Sequence, residues 1–124
     1  MEESFFDPCS DAYQRGLDHL AGGRPEESID HFTRAVQLDP QYVNAYLARA
    51  FAWLETGQPE QAIADCSAAI RLSPELSQAF RLRASAYRGL GEDAKADADL
   101  ARAGQLAATP AQRLTVSELP GERM

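Results

Sequence analysis

Lysine is almost missing from this sequence: of 12 basic residues in 124, only Lys95 is a lysine. Basic residues are also outnumbered by the 19 acidic ones, leaving a formal charge of −7 and an isoelectric point near 4.7. A chain of this balance lacks the basic footprint of a nucleic-acid binder and has nothing to hold it on anionic lipid. Neither nucleic acid nor membrane is expected as a partner. Cysteine is scarce as well. Cys9 and Cys66 make no disulfide framework, and with only His19 and His31 beside them no metal-site spacing arises. No metal and no cofactor is expected, and both cysteines read as reduced thiols of a cytoplasmic protein. No apolar run reaches the length of a membrane span. The acidic start, Met1-Glu2-Glu3-Ser4-Phe5-Phe6-Asp7, predicts no targeting segment. Strand-like alternation and hairpin turn pairs are missing too, which excludes the Gly-rich phosphate loops that follow strands.

What is present is a repeat. Sliding the sequence against itself by 34 residues aligns Arg15, Arg49 and Arg83, each followed by a small residue. The same offset aligns Gly23, Gly57 and Gly91, Ala35, Ala69 and Ala103, and Leu38, Leu72 and Leu106. Pro25 matches Pro59, and Pro40 matches Pro74. Inside each unit the apolar period is helical: Tyr46, Ala50, Trp53 and Leu54 form one stripe, and Ala62, Ile63, Cys66, Ala69 and Ile70 form the next. Gly57 is expected to close the first of these helices in a left-handed conformation and Pro59 to open the second at its first position. Ser73-Pro74 ends the second. The expected architecture is all-α, an α-solenoid of three antiparallel helix pairs.

The pattern resembles the tetratricopeptide repeat (TPR) family. The second repeat, Val43 to Leu76, carries Tyr46, Ala50, Trp53, Ala62, Cys66, Ala69 and Pro74 at the family's signature places. The first, Cys9 to Tyr42, carries Ala12, Gly16, His19, Ser28, Phe32, Ala35 and Pro40. The third, Ser77 to Pro110, carries Phe80, Ala84, Tyr87, Ala96, Leu100 and Ala103, with Ala108 where the proline belongs. This divides the chain into an N-terminal arm (1–8), a repeat domain (9–42, 43–76, 77–110) and a C-terminal tail (111–124).

No catalytic residue is expected. His19 and His31 have no cysteine, serine or carboxylate at a recurring motif spacing. Cys66 sits on an apolar stripe as a small core residue. Cys9 opens a helix, where the thiol pKa can fall, but a structural place is expected for it too. Phe5 and Phe6 are expected to pack over the first helix pair. Glu92, Asp93, Asp97 and Asp99 read as a solvated helix start rather than a cation site. In the tail, Leu114, Val116 and Leu119 precede the breaker Pro120-Gly121, too little for a full capping helix.

The resemblance implies that the first helix of each pair lines a concave groove. By repeat position the peptide-binding residues are Tyr13 and Leu17 on the first, Asn44, Leu47, Phe51 and Leu54 on the second, and Gln78, Arg81, Ser85 and Arg88 on the third. The expected ligand is an unidentified protein or peptide segment, apolar at one end and with a carboxylate facing Arg81 and Arg88. A family subtype clamps chaperone C-termini with lysines and asparagines. The corresponding places here hold Tyr13, Leu17, Ala48, Gln78 and Leu82, which cannot make those charged contacts. The other reading is a structural module that self-assembles through its end faces, so the chain is expected as a monomer or weak homo-oligomer.

Two structural expectations follow from the register. Arg49 with Asp65, and Arg83 with Asp99, stand 16 apart on the two helices of a pair, a spacing suited to forked Arg–carboxylate bonds. Arg15 meets His31 instead, so that rung should be missing or weak. Asp97 and Gly104 replace the apolar stripe Ile29/Val36 and Ile63/Ile70, so the array should stop at three.

Overall fold

A computed structural model describes residues 6–108, which form six α-helices and no strand. They are α1 (Pro8–Ala21), α2 (Pro25–Leu38), α3 (Val43–Glu55), α4 (Pro59–Leu72), α5 (Ser77–Gly89) and α6 (Asp93–Ala107). Each odd helix packs on the even helix that follows, and α2 packs on α3 as α4 does on α5. The odd helices also touch each other, α1 with α3 and α3 with α5, so they share one face of the solenoid. Phe5 and residues 109–124 lie outside the described residues, and with them the readings made of Phe5 and the tail.

The same turn is built three times. Gly23, Gly57 and Gly91 take φ of 76°, 75° and 77°, a left-handed backbone that a Cβ would disfavour. The residue after each donates its N–H back to the carbonyl five places earlier: Arg24 to His19, Gln58 to Trp53 and Glu92 to Tyr87, at 2.8 to 2.9 Å. This closes the odd helix. Pro25 and Pro59 then open α2 and α4 at the first turn. Asp93 stands in the proline's place in α6, where its charge favours the helix N-terminus.

Alanines let the helices approach closely. Ala45, Ala50, Ala52, Ala62, Ala69, Ala79, Ala86 and Ala96 have no exposed surface. Larger side chains fill the spaces left, Trp53, Leu54, Ile63 and Leu82 packing round Ala50, Ala62, Cys66 and Ala86. The first pair uses a different fit. Phe32 is fully buried and its ring lies where any Cβ on Gly16 would go. The later pairs have Ala50 with Cys66 and Ala84 with Leu100 at these places. A bulky residue on the even helix is thus accommodated by removing a methyl from the odd one.

The Arg–carboxylate rungs are present. Arg49 forks onto Asp65 through Nε and Nη2, both at 2.8 Å, and Arg83 onto Asp99 at 2.8 and 2.9 Å. Two further contacts were not anticipated. Arg49 Nη1 donates to Thr33 Oγ1 on α2, and Arg83 Nη1 to Ser67 Oγ on α4, each at 3.1 Å. Each arginine therefore ties the even helix before it to the even helix after it. Trp53 Nε1 adds a third donor to Asp65, at 3.0 Å. The first rung is missing, as the sequence predicts: Arg15 pairs with Asp11 on its own helix at 2.8 Å. At the other end Asp97 and Gly104 are exposed on α6, and Ala101 stands where Thr33 and Ser67 carry a hydroxyl.

Both cysteines are structural. Cys9 Sγ donates to the Ala35 carbonyl at 3.3 Å, and burial, with Asp39 and Asp7 nearby, raises its pKa. The helix start does not activate it. Cys66 has no exposed surface, and burial, then the Asp65 charge, pushes its thiol up to about 12 from 9.0. The unfolded thiol ionises first, so its contribution to stability is whole below pH 9 and declines as pH rises towards 12, by about 1.4 kcal/mol per unit. Urea titrations at pH 8 and pH 10 should therefore show the wild type losing about 1 kcal/mol more than Cys66→Ala. Equal losses in the two proteins would contradict this burial.

Candidate functional site

The shared face of the odd helices holds a cavity of about 440 Å³. Tyr13 enters it from α1, Asn44, Leu47, Ala48 and Phe51 from α3, and Gln78, Arg81, Leu82 and Ser85 from α5. Helical spacing explains the set. Asn44, Leu47, Ala48 and Phe51 lie at steps of three and four on one stripe of α3, and Gln78, Arg81, Leu82 and Ser85 repeat those places on α5.

The floor is apolar and the wall is polar. Leu47 is buried in the core cluster with Ala69 and Ala79, whereas Phe51 keeps 43% of its surface exposed, a large apolar ring open to the cavity. Tyr13 leans on Phe32 and Tyr42, with ring centroids 5.9 and 5.1 Å away. Burial, and Tyr42 beside it, raise the Tyr13 pKa, so it is a neutral phenol there. Asn44 and Gln78 are exposed. The Arg81 guanidinium donates to Ser77 Oγ at the outer limit of 3.5 Å and makes no ion pair among the described residues. Its charge is available to a ligand.

Seven of the ten residues expected in the groove line this cavity; Leu17, Leu54 and Arg88 do not. Leu54 packs with Trp53 and Ile63 against the core instead. Leu17 is half-buried on α1. Arg88 shares a helix face with Arg81 by spacing, but its Nη2 bonds Asp97 Oδ1 of α6 at 3.0 Å. That leaves Arg81 as the cation of the cavity. Ala48 and Leu82, read from the sequence only as places where a clamp is missing, complete the lining.

The other candidate groups have structural partners. His19 and His31 stack with centroids 4.9 Å apart, and Arg24 Nε donates to His19 Nδ1 at 3.0 Å. The acidic residues near the start of α6 disperse: Asp99 to Arg83, Asp97 to Arg88, and Glu92 to Lys95 at 2.9 Å. No three potential metal ligands converge among the described residues.

Comparison with solved structures places this architecture. The second TPR of Spaghetti (RPAP3), bound to the HSP90 peptide SRMEEVD, is 29% identical with a TM-score of 0.78, over 81% of this chain and 93% of that one. The second TPR domain of human RPAP3, in complex with the HSP70 peptide SGPTIEEVD, is 28% identical with a TM-score of 0.79, over 94% and 96%. A yeast Sti1 domain solved as a TPR2B-domain:pHsp70 complex shares the fold at 23% identity, TM-score 0.81, over 93% and 92%. Among curated protein sequences no match is found. A tetratricopeptide repeat family model matches residues 13–77, more than half of the chain, and with it the turns, the alanine contacts and the helix order agree. The chain belongs to the tetratricopeptide repeat family.

Proposed function

We propose that this chain is a non-catalytic protein–protein interaction module that binds a peptide segment in the groove of α1, α3 and α5. The observation that carries the reading is the cavity itself, where an exposed Phe51 and an Arg81 with no ion pair among the described residues line the same space. The ligand class follows from that pairing: an apolar side chain seated on Tyr13, Leu47 and Phe51, and a carboxylate reaching Arg81. Asn44 and Gln78, one repeat apart, offer amides to an extended backbone, which holds a chain without reading its sequence. Neighbouring structures that carry bound peptides support a peptide as the ligand. The places of the chaperone-tail clamp hold Tyr13, Leu17, Ala48, Gln78 and Leu82, so recognition here runs through one cation and an apolar floor. The working unit is the repeat array, 9–110, in the cytoplasm, with 1–8 as its arm and 111–124 as its tail.

Affinity on the order of micromolar is expected for so small and partly polar a surface. A peptide array probed with the wild type and with Arg81→Glu tests the assignment. Captured peptides should share an apolar residue and a carboxylate, and charge reversal should weaken them at least about tenfold, or 1.4 kcal/mol. Unchanged capture by Arg81→Glu would remove the carboxylate from the ligand class. Light scattering on the same samples separates this reading from self-assembly, since association that rises with concentration belongs to the latter.

A further inference from the structure

At the opposite edge of the first helix pair lies a second cavity, about 360 Å³, lined in part by Phe6, Asp11, Arg15, His31 and Arg34. The repeat itself says what belongs there. Arg15 is the counterpart of Arg49 and Arg83, and His31 of Asp65 and Asp99. In the later pairs the arginine grips a carboxylate by two bonds of 2.8 to 2.9 Å. In the first pair the arginine remains, the carboxylate is replaced by His31, and among the described residues a cavity lies beside them. We propose that this cavity is a docking site for an aspartate or glutamate side chain of a partner protein, which takes the place that Asp65 and Asp99 hold in the later repeats.

Three features fit such a ligand. Among the described residues Arg15 pairs with Asp11 alone, one helical turn away, and their side chains are 63% and 38% exposed. A pair of that kind is weak and readily displaced or shared. Arg34 is exposed and makes no ion pair among the described residues, so the cavity carries two arginines against one carboxylate. Phe6, 71% exposed, offers an apolar contact beside them, suited to the chain that carries the acidic residue. The site is independent of the groove: it lies among α1, α2 and the segment before them, and it shares no lining residue with the groove cavity.

The probe is the blocked peptide acetyl-Phe-Ala-Asp-Ala-amide, titrated into ¹⁵N-labelled protein at fixed ionic strength, with the Asn analogue as control. The Asp peptide should shift the Arg15 and Arg34 side-chain N–H signals saturably, with millimolar affinity, and the Asn peptide should not. Read at the backbone amides of Asp11 and His31, which line this cavity and not the groove, Arg15→Gln/Arg34→Gln should lose at least tenfold in affinity. His31→Asp should restore the missing rung from within, raising the melting temperature by several degrees and abolishing the shifts. Equal shifts from the Asn peptide, or an unaltered response in the double variant, would overturn the proposal. So would a His31→Asp variant in which the Asp peptide still shifts the Arg15 and Arg34 signals. Shifts that follow dimer formation in light scattering would instead assign the cavity to a second copy of this chain, and would equally overturn it.

Discussion

Phe32→Ala is expected to destabilise the fold by about 4 kcal/mol, lowering the melting temperature by roughly 15 °C. The ring is fully buried and fills the gap made by Gly16. Removing it leaves a void that helices held by alanine contacts cannot close. Gly16→Ala pushes in the other direction, placing a methyl inside the ring, and should cost about 2 kcal/mol through overpacking. The two sites report on each other: Gly16→Ala combined with Phe32→Leu should be more stable than the sum of the single changes predicts, because the third pair already combines Ala84 with Leu100. Thermal melts and urea titrations of the four proteins measure this. A loss below about 1.5 kcal/mol for Phe32→Ala would mean that the ring is not packed as described.

Asp65→Ala should cost about 3 kcal/mol, more than any change to an exposed carboxylate on this chain. The carboxylate accepts from Arg49 Nε and Nη2 and from Trp53 Nε1, and its side chain is 6% exposed, Arg49's 18%. Cutting it away leaves a mostly buried guanidinium and an indole N–H without their acceptor, and the loss comes from those stranded donors more than from the bond itself. The Asp65 hydrogen bond raises the Arg49 pKa in the intact protein, and even without it a guanidinium keeps its proton, so the arginine cannot escape by becoming neutral. Asp99→Ala should cost less, because Tyr87 replaces Trp53 there and the pair is 21% and 9% exposed. Replacing both partners, Arg49→Met with Asp65→Leu, should recover most of the loss. If Asp65→Ala and Asp99→Ala melt together within a degree, the indole bond adds nothing.

The rungs were legible in the sequence because repetition supplies its own alignment: an Arg and an Asp 16 apart, twice, name a contact between helices. The hydroxyl partners were legible by the same logic and were missed. Thr33 and Ser67 stand 16 before each arginine, as the aspartates stand 16 after. The groove was read less completely. Spacing along a helix says which face a residue leaves from, and on that ground Arg81 and Arg88 were placed together. It says nothing of where a long flexible side chain ends, and Asp97, on the next helix, holds Arg88. Leu54 was misplaced for a related reason. It stands at the border of the stripe, and the Ala-lined gap beside α4 and α5 draws it inward. Phe32 was visible as a large residue among small ones, but its pairing with Gly16 needs three dimensions.

A planar guanidinium bound at three corners has mechanical meaning. Arg49 holds α2 through Thr33 and α4 through Asp65 while standing on α3, so none of the three helices can slide along its neighbours without bending bonds out of the guanidinium plane. Arg83 braces α4, α5 and α6 in the same way. The α3 and α5 walls of the groove are thus stiff against shear, and a ligand that fits them meets a shape already made, with little ordering left to oppose its binding. The wall on α1 has no such brace. Adjustment to different ligands falls to that helix, and to Tyr13 on it.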